Sequence, residues 1–82
     1  MVDILYDDHF QRTILKIKDQ EVQKNIKNKI RKIIASPEIG KPMRNLRKGT
    51  REVYIDSFRL SYRYDPQREI IEFLDFYHKD EQ

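Results

Sequence analysis

Apolar positions along the chain follow two different periods. From residue 10 to residue 34 they recur at helical spacing. Phe10, Ile14 and Ile17 sit four and three apart, and Val22, Ile26, Ile30, Ile33 and Ile34 follow at four, four, three and one. Such spacing lines residues up on one helical stripe, so two helices are predicted. Asp7 or Asp8 caps the first, because a carboxylate accepts hydrogen bonds from the free N–H groups of a first turn; Asp19 caps the second. Ser36-Pro37 ends the second helix, since the residue before proline avoids helical backbone angles. A break this short folds the two helices back as an αα-hairpin.

On either side of the hairpin the period is two. Residues 2–6 (VDILY) are short and β-branched and read as a strand. Residues 52–55 alternate, with Val53 and Ile55 on one face. Asp56-Ser57 is a turn signal. Leu60, Tyr62 and Tyr64 then alternate with Arg59, Ser61 and Arg63, the pattern of a half-exposed strand. Asp65-Pro66-Gln67-Arg68 is a second turn. Residues 70–77 (IIEFLDFY) are apolar on both faces, which marks a central strand. A strand, two helices and three hairpin-linked strands define an α+β fold. The expected architecture is one antiparallel sheet with the helical hairpin on one face and the other face partly open. Residues 1–82 form a single domain, without repeats or linkers.

Composition narrows the classes. Eighty-two residues hold one modest core. No cysteine is present, which excludes a disulfide framework, a thiol nucleophile and a cysteine zinc site. Hydrophobic residues at 38% and aromatics at 11% are too many for simple disorder. No apolar run approaches the ~20 residues of a membrane span. The acidic start lacks the basic and apolar regions of a signal peptide, so the cytoplasm is the expected location. Charge is unevenly spread. Residues 16–32 carry seven bases and two acids, and residues 41–51 carry five bases and no acid. That second segment is a candidate phosphate surface or a plain solvated loop.

Most catalytic schemes lack parts here. Gly40 and Gly49 are isolated, so there is no glycine-rich phosphate loop. His9 and His78 are far apart in sequence and form no metal motif. Neither a cofactor nor a metal is expected. What remains is cations, His78 and tyrosines. Arg59 opens one strand, and His78-Lys79 close the next, so an antiparallel hairpin makes Arg59 and His78 neighbours at one end of the sheet. Such a set suits metal-free RNA cleavage. A base takes the proton of the attacking 2′-hydroxyl, an acid protonates the leaving 5′-oxygen, and cations stabilise the phosphorane. His78 has the pKa range for either transfer. Arg59 and Arg51 can hold phosphate oxygens in bidentate fashion. Tyr77, Tyr62 or Phe58 can stack on a splayed base. In the plainer alternative Arg59 pairs with Asp56 or Asp75, His78 simply ends a strand, and residues 79–82 form a polar tail.

The string L-x-K-G-x-R (Leu46, Lys48, Gly49, Arg51), followed by Phe58-Arg59-Leu60-x-Tyr62 and Phe76-Tyr77-His78-Lys79, resembles the RelE/ParE superfamily of toxin–antitoxin toxins. Gly40-Lys41-Pro42 and Tyr77-His78 also look like the YoeB branch. The resemblance implies a microbial RNase-like fold. It implies metal-free cleavage of messenger RNA in the ribosomal A site, with inhibition of translation, and a cognate antitoxin that neutralises the toxin. It places Arg59 on the scissile phosphate and His78 or Lys79 at the acid/base position. Arg44, Arg47 and Lys48 fall where such toxins bind RNA, and Arg51 adds to that patch. There are departures. Glu52 and Tyr54 stand where many members carry arginine, and Asp56-Ser57 replaces a Gly-Asp. The glutamate base of the YoeB branch has no clear match, although Glu52 can substitute. The alternatives are a ParE-like gyrase-inhibiting toxin and a catalytically degenerate, antitoxin-binding homologue. An acidic, partly disordered antitoxin segment suits the basic helix face and the last strand. No recognition-helix signature is present, so operator DNA falls to the antitoxin.

Overall fold

The fold comes from a computed structural model that describes residues 2–43 and 49–81. Three candidate RNA contacts, Arg44, Arg47 and Lys48, lie outside the described residues. The element order is β1 (Asp3–Tyr6), α1 (Asp8–Leu15), α2 (Gln20–Ala35), β2 (Lys41–Pro42), β3 (Arg51–Ile55), β4 (Phe58–Asp65) and β5 (Ile70–His78), closed by a 3₁₀ turn at Lys79–Glu81.

The helices start and stop where the sequence places them. The Asp7 carboxylate caps α1 by accepting from the His9 N–H at 2.9 Å. Asp19 caps α2, accepting from Glu21 and Val22. α2 ends at Ala35, with Ser36 as its C-cap before Pro37. Phe10, Ile26 and Ile33 are buried. Ile34 departs from the expected stripe and is exposed, because its neighbour Ile33 already takes the core-facing position.

The five strands lie in the order β1-β5-β4-β3-β2. β2 to β5 run antiparallel to their neighbours, but β1 is parallel to β5. This corrects the all-antiparallel expectation. The αα-hairpin carries the chain from one sheet edge to the other, and the meander returns beside β1 in the same direction. β2 was not expected; it extends the sheet by pairing Lys41 with Glu52 and Pro42 with Arg51.

β5 explains its own apolar pattern. Ser61 lies opposite Asp75 but Tyr62 lies opposite Phe73, so Leu74 is an extra residue in a β-bulge. The bulge changes phase: Ile71 and Phe73 precede it and Phe76 follows it, and all three are buried in one core cluster. Phe73 stacks on Tyr6 and Phe10, with ring centroids 5.5 and 5.7 Å apart, which fastens α1 to the sheet. Strand alternation then divides the sheet. Arg51, Val53, Ile55, Phe58, Leu60 and Tyr62 face the helices. Glu52, Tyr54, Arg59, Ser61, Arg63 and Tyr77 face away from them.

Candidate nucleic-acid interface

The face away from the helices is built in rows. Tyr54, Arg59 and Tyr77 are register partners across β3, β4 and β5. The Arg59 guanidinium lies over the Tyr54 ring, 3.9 Å from its centroid. Its Nη1 donates to the backbone carbonyls of Phe58 (3.0 Å) and Asp56 (3.3 Å). Asp56 supplies its carbonyl from a left-handed turn, at φ 53°. Arg59 is therefore aimed by one ring and two carbonyls, and it uses no described carboxylate. Of its two expected partners, Asp56 contributes only backbone, and Asp75 is taken by His9 at 3.0 Å. The next row holds Glu52, Ser61 and Asp75. The Tyr77 hydroxyl donates to the Glu52 carboxylate, reaching from β5 across β4 to β3. The small Ser61 side chain between them leaves room for that crossing. Glu52 is only 3% exposed and Tyr77 only 7%, so the pair is a buried brace within this face.

His78 sits beside Arg59 but not with it. Its register partner is Phe58, one step from the Arg59–Tyr77 pair, so alternation turns it toward the helix side. Its ring meets Phe58 edge-on at 5.4 Å. The expected closeness of Arg59 and His78 thus holds at the level of backbone, with the two side chains on opposite faces of the same sheet end. His78 Nδ1 accepts from the Asp80 N–H at 3.2 Å, which leaves the proton of the neutral ring on Nε2. The Asp80 carboxylate is 3.5 Å from the same nitrogen, ready to receive a second proton's hydrogen bond. Lys79 is exposed at the start of the final turn, and its N–H donates to the Ser57 carbonyl.

Arg51 goes elsewhere. Its Nη1 donates to the carbonyls of Glu38 (3.1 Å) and Gly40 (2.9 Å). The Tyr62 hydroxyl joins this clasp, donating to the Pro37 carbonyl at 2.7 Å and accepting from the Gly40 N–H at 2.9 Å. Burial pushes the Tyr62 phenol above its usual range, against the lowering effects of the Gly40 bond and the Arg51 charge. The spacing of Arg51 and Arg59 on adjacent strands gave no sign of this division of labour. Parity gave one, because eight residues and a two-residue turn put them on opposite faces.

A third feature lies on the helix side. A groove of about 410 Å³ runs between α1 and α2, lined by Tyr6, Phe10, Ile14, Leu15, Ile26 and Ile30 among others. Leu15 is 82% exposed on its rim. Among the described residues, no group of three or more His, Asp or Glu side chains converges as metal ligands do.

Residues 4–82 match the family described as the ParE toxin of type II toxin–antitoxin systems, parDE. The chain belongs to that family. The fold is shared with solved toxins. The RelBE2 toxin–antitoxin complex of Mycobacterium tuberculosis has a chain 20% identical, with a TM-score of 0.80, covering 94% of this chain and 96% of that one. The intact E. coli RelBE complex gives 15% identity and a TM-score of 0.79 over 95% and 96%. A YoeB/ParE toxin from Agrobacterium tumefaciens gives 14% and 0.83 over 94% and 98%. No curated protein sequence matches the chain.

Proposed function

We propose that this toxin is a ribosome-dependent messenger RNA endonuclease, inhibiting translation by cutting RNA in the A site. The observation that carries this reading is Arg59. It is a half-buried cation held by Tyr54 and two carbonyls at the sheet end where β5 delivers His78. In this scheme the 2′-hydroxyl gives its proton to solvent water as its oxygen attacks the adjacent phosphorus, and the 5′-oxygen leaves, giving a 2′,3′-cyclic phosphate and a 5′-hydroxyl. Arg59 neutralises the equatorial oxygens of the phosphorane. His78 acts as the acid once protonated on both nitrogens: Nδ1–H bonds the Asp80 carboxylate, Nε2 gives its proton to the leaving oxygen, and the ring returns to neutral. Because the two side chains flank the rim of the sheet, the strand passes over the rim and not flat across the open face. Lys79, Arg44, Arg47 and Lys48 add positive charge for RNA. Arg51 acts through the clasp. Tyr77 acts as a brace for Glu52, out of reach of a base.

The partner in this reading is a cognate antitoxin. Two structural neighbours are toxin–antitoxin complexes, and a third is an E. coli RelE variant bound to an antitoxin peptide. The groove between α1 and α2 offers the apolar anchors that an amphipathic segment needs. No described helix is long and apolar enough to cross a membrane, which fits action at cytoplasmic ribosomes.

The test is to express the chain from a tightly repressed promoter and map 5′ ends on ribosome-bound RNA. Cuts within A-site codons that vanish in Arg59→Ala and His78→Ala, with antitoxin binding retained, support the reading. The opposite placement of Arg59 and His78 favours a second reading: a toxin fold that binds antitoxin or a protein target without cutting. Growth arrest with intact RNA would select it.

A further inference from the structure

A cleft of about 330 Å³ opens between α2 and the β3–β4 hairpin. One helical stripe of α2, at spacings of three, one and three, lines its first wall with Asn25, Asn28, Lys29 and Lys32. Tyr54, Ile55 and Asp56 line the other. Among the described residues, neither lysine takes part in an ion pair. The Tyr54 ring is 53% exposed, and Arg59 lies against that same ring. Arg59 on the open face and the basic face of α2 therefore lie on either side of the β3 edge, with Tyr54 between them.

We propose that this cleft holds one nucleotide of a single RNA strand that leaves the Arg59 site, with its phosphate between Lys29 and Lys32. The inference rests on the RNA-directed reading above and extends the bound strand beyond the scissile position. Three observations favour RNA over an acidic protein segment. The cleft is at the small end of ligand sites, about 300–1,000 Å³, which suits one nucleotide and not a helix. Among the described residues its only aliphatic lining residue is Ile55, itself buried, so they offer an amphipathic peptide no apolar anchor there. Its polar lining mixes donors with acceptors. Asn25 and Asn28 offer both, and the Asp56 carboxylate accepts. A nucleotide answers such a lining with ribose hydroxyl and base-edge groups. A carboxylate-rich segment would instead bring its charge against Asp56. Two ammonium groups facing a wall that includes an aromatic residue match the charged, aromatic-lined grooves that hold single strands.

The experiment measures binding of a labelled ten-nucleotide single-stranded RNA to the purified full chain by fluorescence anisotropy, over a range of salt. The variants are Lys29→Ala/Lys32→Ala and, with equal charge loss elsewhere, Arg12→Ala/Lys18→Ala. Lys32 is exposed and Lys29 half-buried; alanine is the best helix former at either position, and thermal unfolding checks each variant. The account predicts that the α2 pair weakens binding by roughly tenfold or more and lowers the slope of log K against log salt by about 0.7, the value for one phosphate on a single strand. The control pair changes both far less. Equal losses in the two variants would overturn the proposal, as would unchanged RNA binding, or a loss confined to antitoxin affinity. Cleavage, read separately by 5′-end mapping, keeps the two claims apart. A chain that cuts no messenger RNA but loses RNA binding with the α2 pair keeps this site and loses the nuclease. A chain that cuts normally with both lysines gone keeps the nuclease and loses this site. A wild-type chain that binds no RNA overturns both.

Discussion

Arg51 and Arg59 lie on neighbouring strands of one small sheet and meet opposite fates. Arg51 faces the helices and spends its guanidinium on the carbonyls of Glu38 and Gly40, fixing the chain between α2 and β2. Arg59 faces away and is braced by a ring and by carbonyls of its own hairpin. Both are aimed by backbone oxygen, since neither forms an ion pair with a described carboxylate. The difference is what each brace serves. On the helix face the cation closes a buried clasp around Tyr62, and its loss is felt as stability. On the open face the cation is held in place with no described carboxylate paired to it, the state that a phosphate ligand needs.

The comparison breaks most easily at the core beneath it. Phe73 has no exposed surface and stacks on Tyr6 and Phe10. Phe73→Ala removes that packing and should cost about 3–5 kcal/mol, a large share of the stability of so small a domain. Urea unfolding should show most of the population unfolded without denaturant, or a midpoint shifted far down. The next largest effect is at Gly40. A Cβ there would fall 2.5 Å from the Tyr62 hydroxyl and 2.9 Å from the Arg51 Cβ. Gly40→Ala should lose about 1–3 kcal/mol by forcing the clasp apart, visible as a lower melting temperature with the open-face residues untouched.

Tyr62→Phe sharpens the same point with less disturbance. It leaves the Gly40 N–H and the Pro37 carbonyl without their partner, at about 1–2 kcal/mol. It also changes the pH profile. The folded phenol has its pKa raised by burial above the ordinary 10.0. The folded state thus holds this proton more tightly than the unfolded state does. The corresponding stability is fully present below pH 10 and is lost as pH climbs through the folded value. Denaturation midpoints measured between pH 8 and 12 should fall less steeply at the alkaline end in Tyr62→Phe. The smallest effect is expected from Glu52→Gln. The amide oxygen still accepts from the Tyr77 hydroxyl, so stability should move by less than ~1 kcal/mol. A larger loss would mean that the charge itself, and not the bridge across β4, holds this face together.

Much of this was legible in the chain. Both aspartate caps, the proline stop after Ser36, the two hairpins and the helix–sheet layering followed from spacing and turn chemistry, and the toxin family followed from the strand motifs. Three things were not legible, each for a physical reason. The direction of β1 depends on how the helical hairpin crosses the sheet, which no local pattern encodes. The bulge at Leu74 hid inside a run apolar on both faces, where a phase change leaves no gap in the hydrophobic signal. The site residues were grouped by nearness in register, while side-chain parity sorted them. Arg59 and His78 share a sheet end but not a face, and Arg51 belongs with Tyr62. Reading parity through the Asp56-Ser57 turn separates Arg51 from Arg59. It also brings Tyr54 and Glu52 onto the face of Arg59, where they looked at first like mere departures from the family pattern.

The most direct measurement pairs Arg51→Ala with Arg59→Ala, reading thermal stability, antitoxin binding and growth arrest for each. The account predicts that Arg51→Ala lowers stability by about 1.5–3 kcal/mol through the lost charge-assisted bonds. It predicts that Arg59→Ala folds and binds antitoxin like the parent chain but no longer arrests growth. Growth arrest that survives Arg59→Ala, in a protein that folds and binds antitoxin normally, would contradict it.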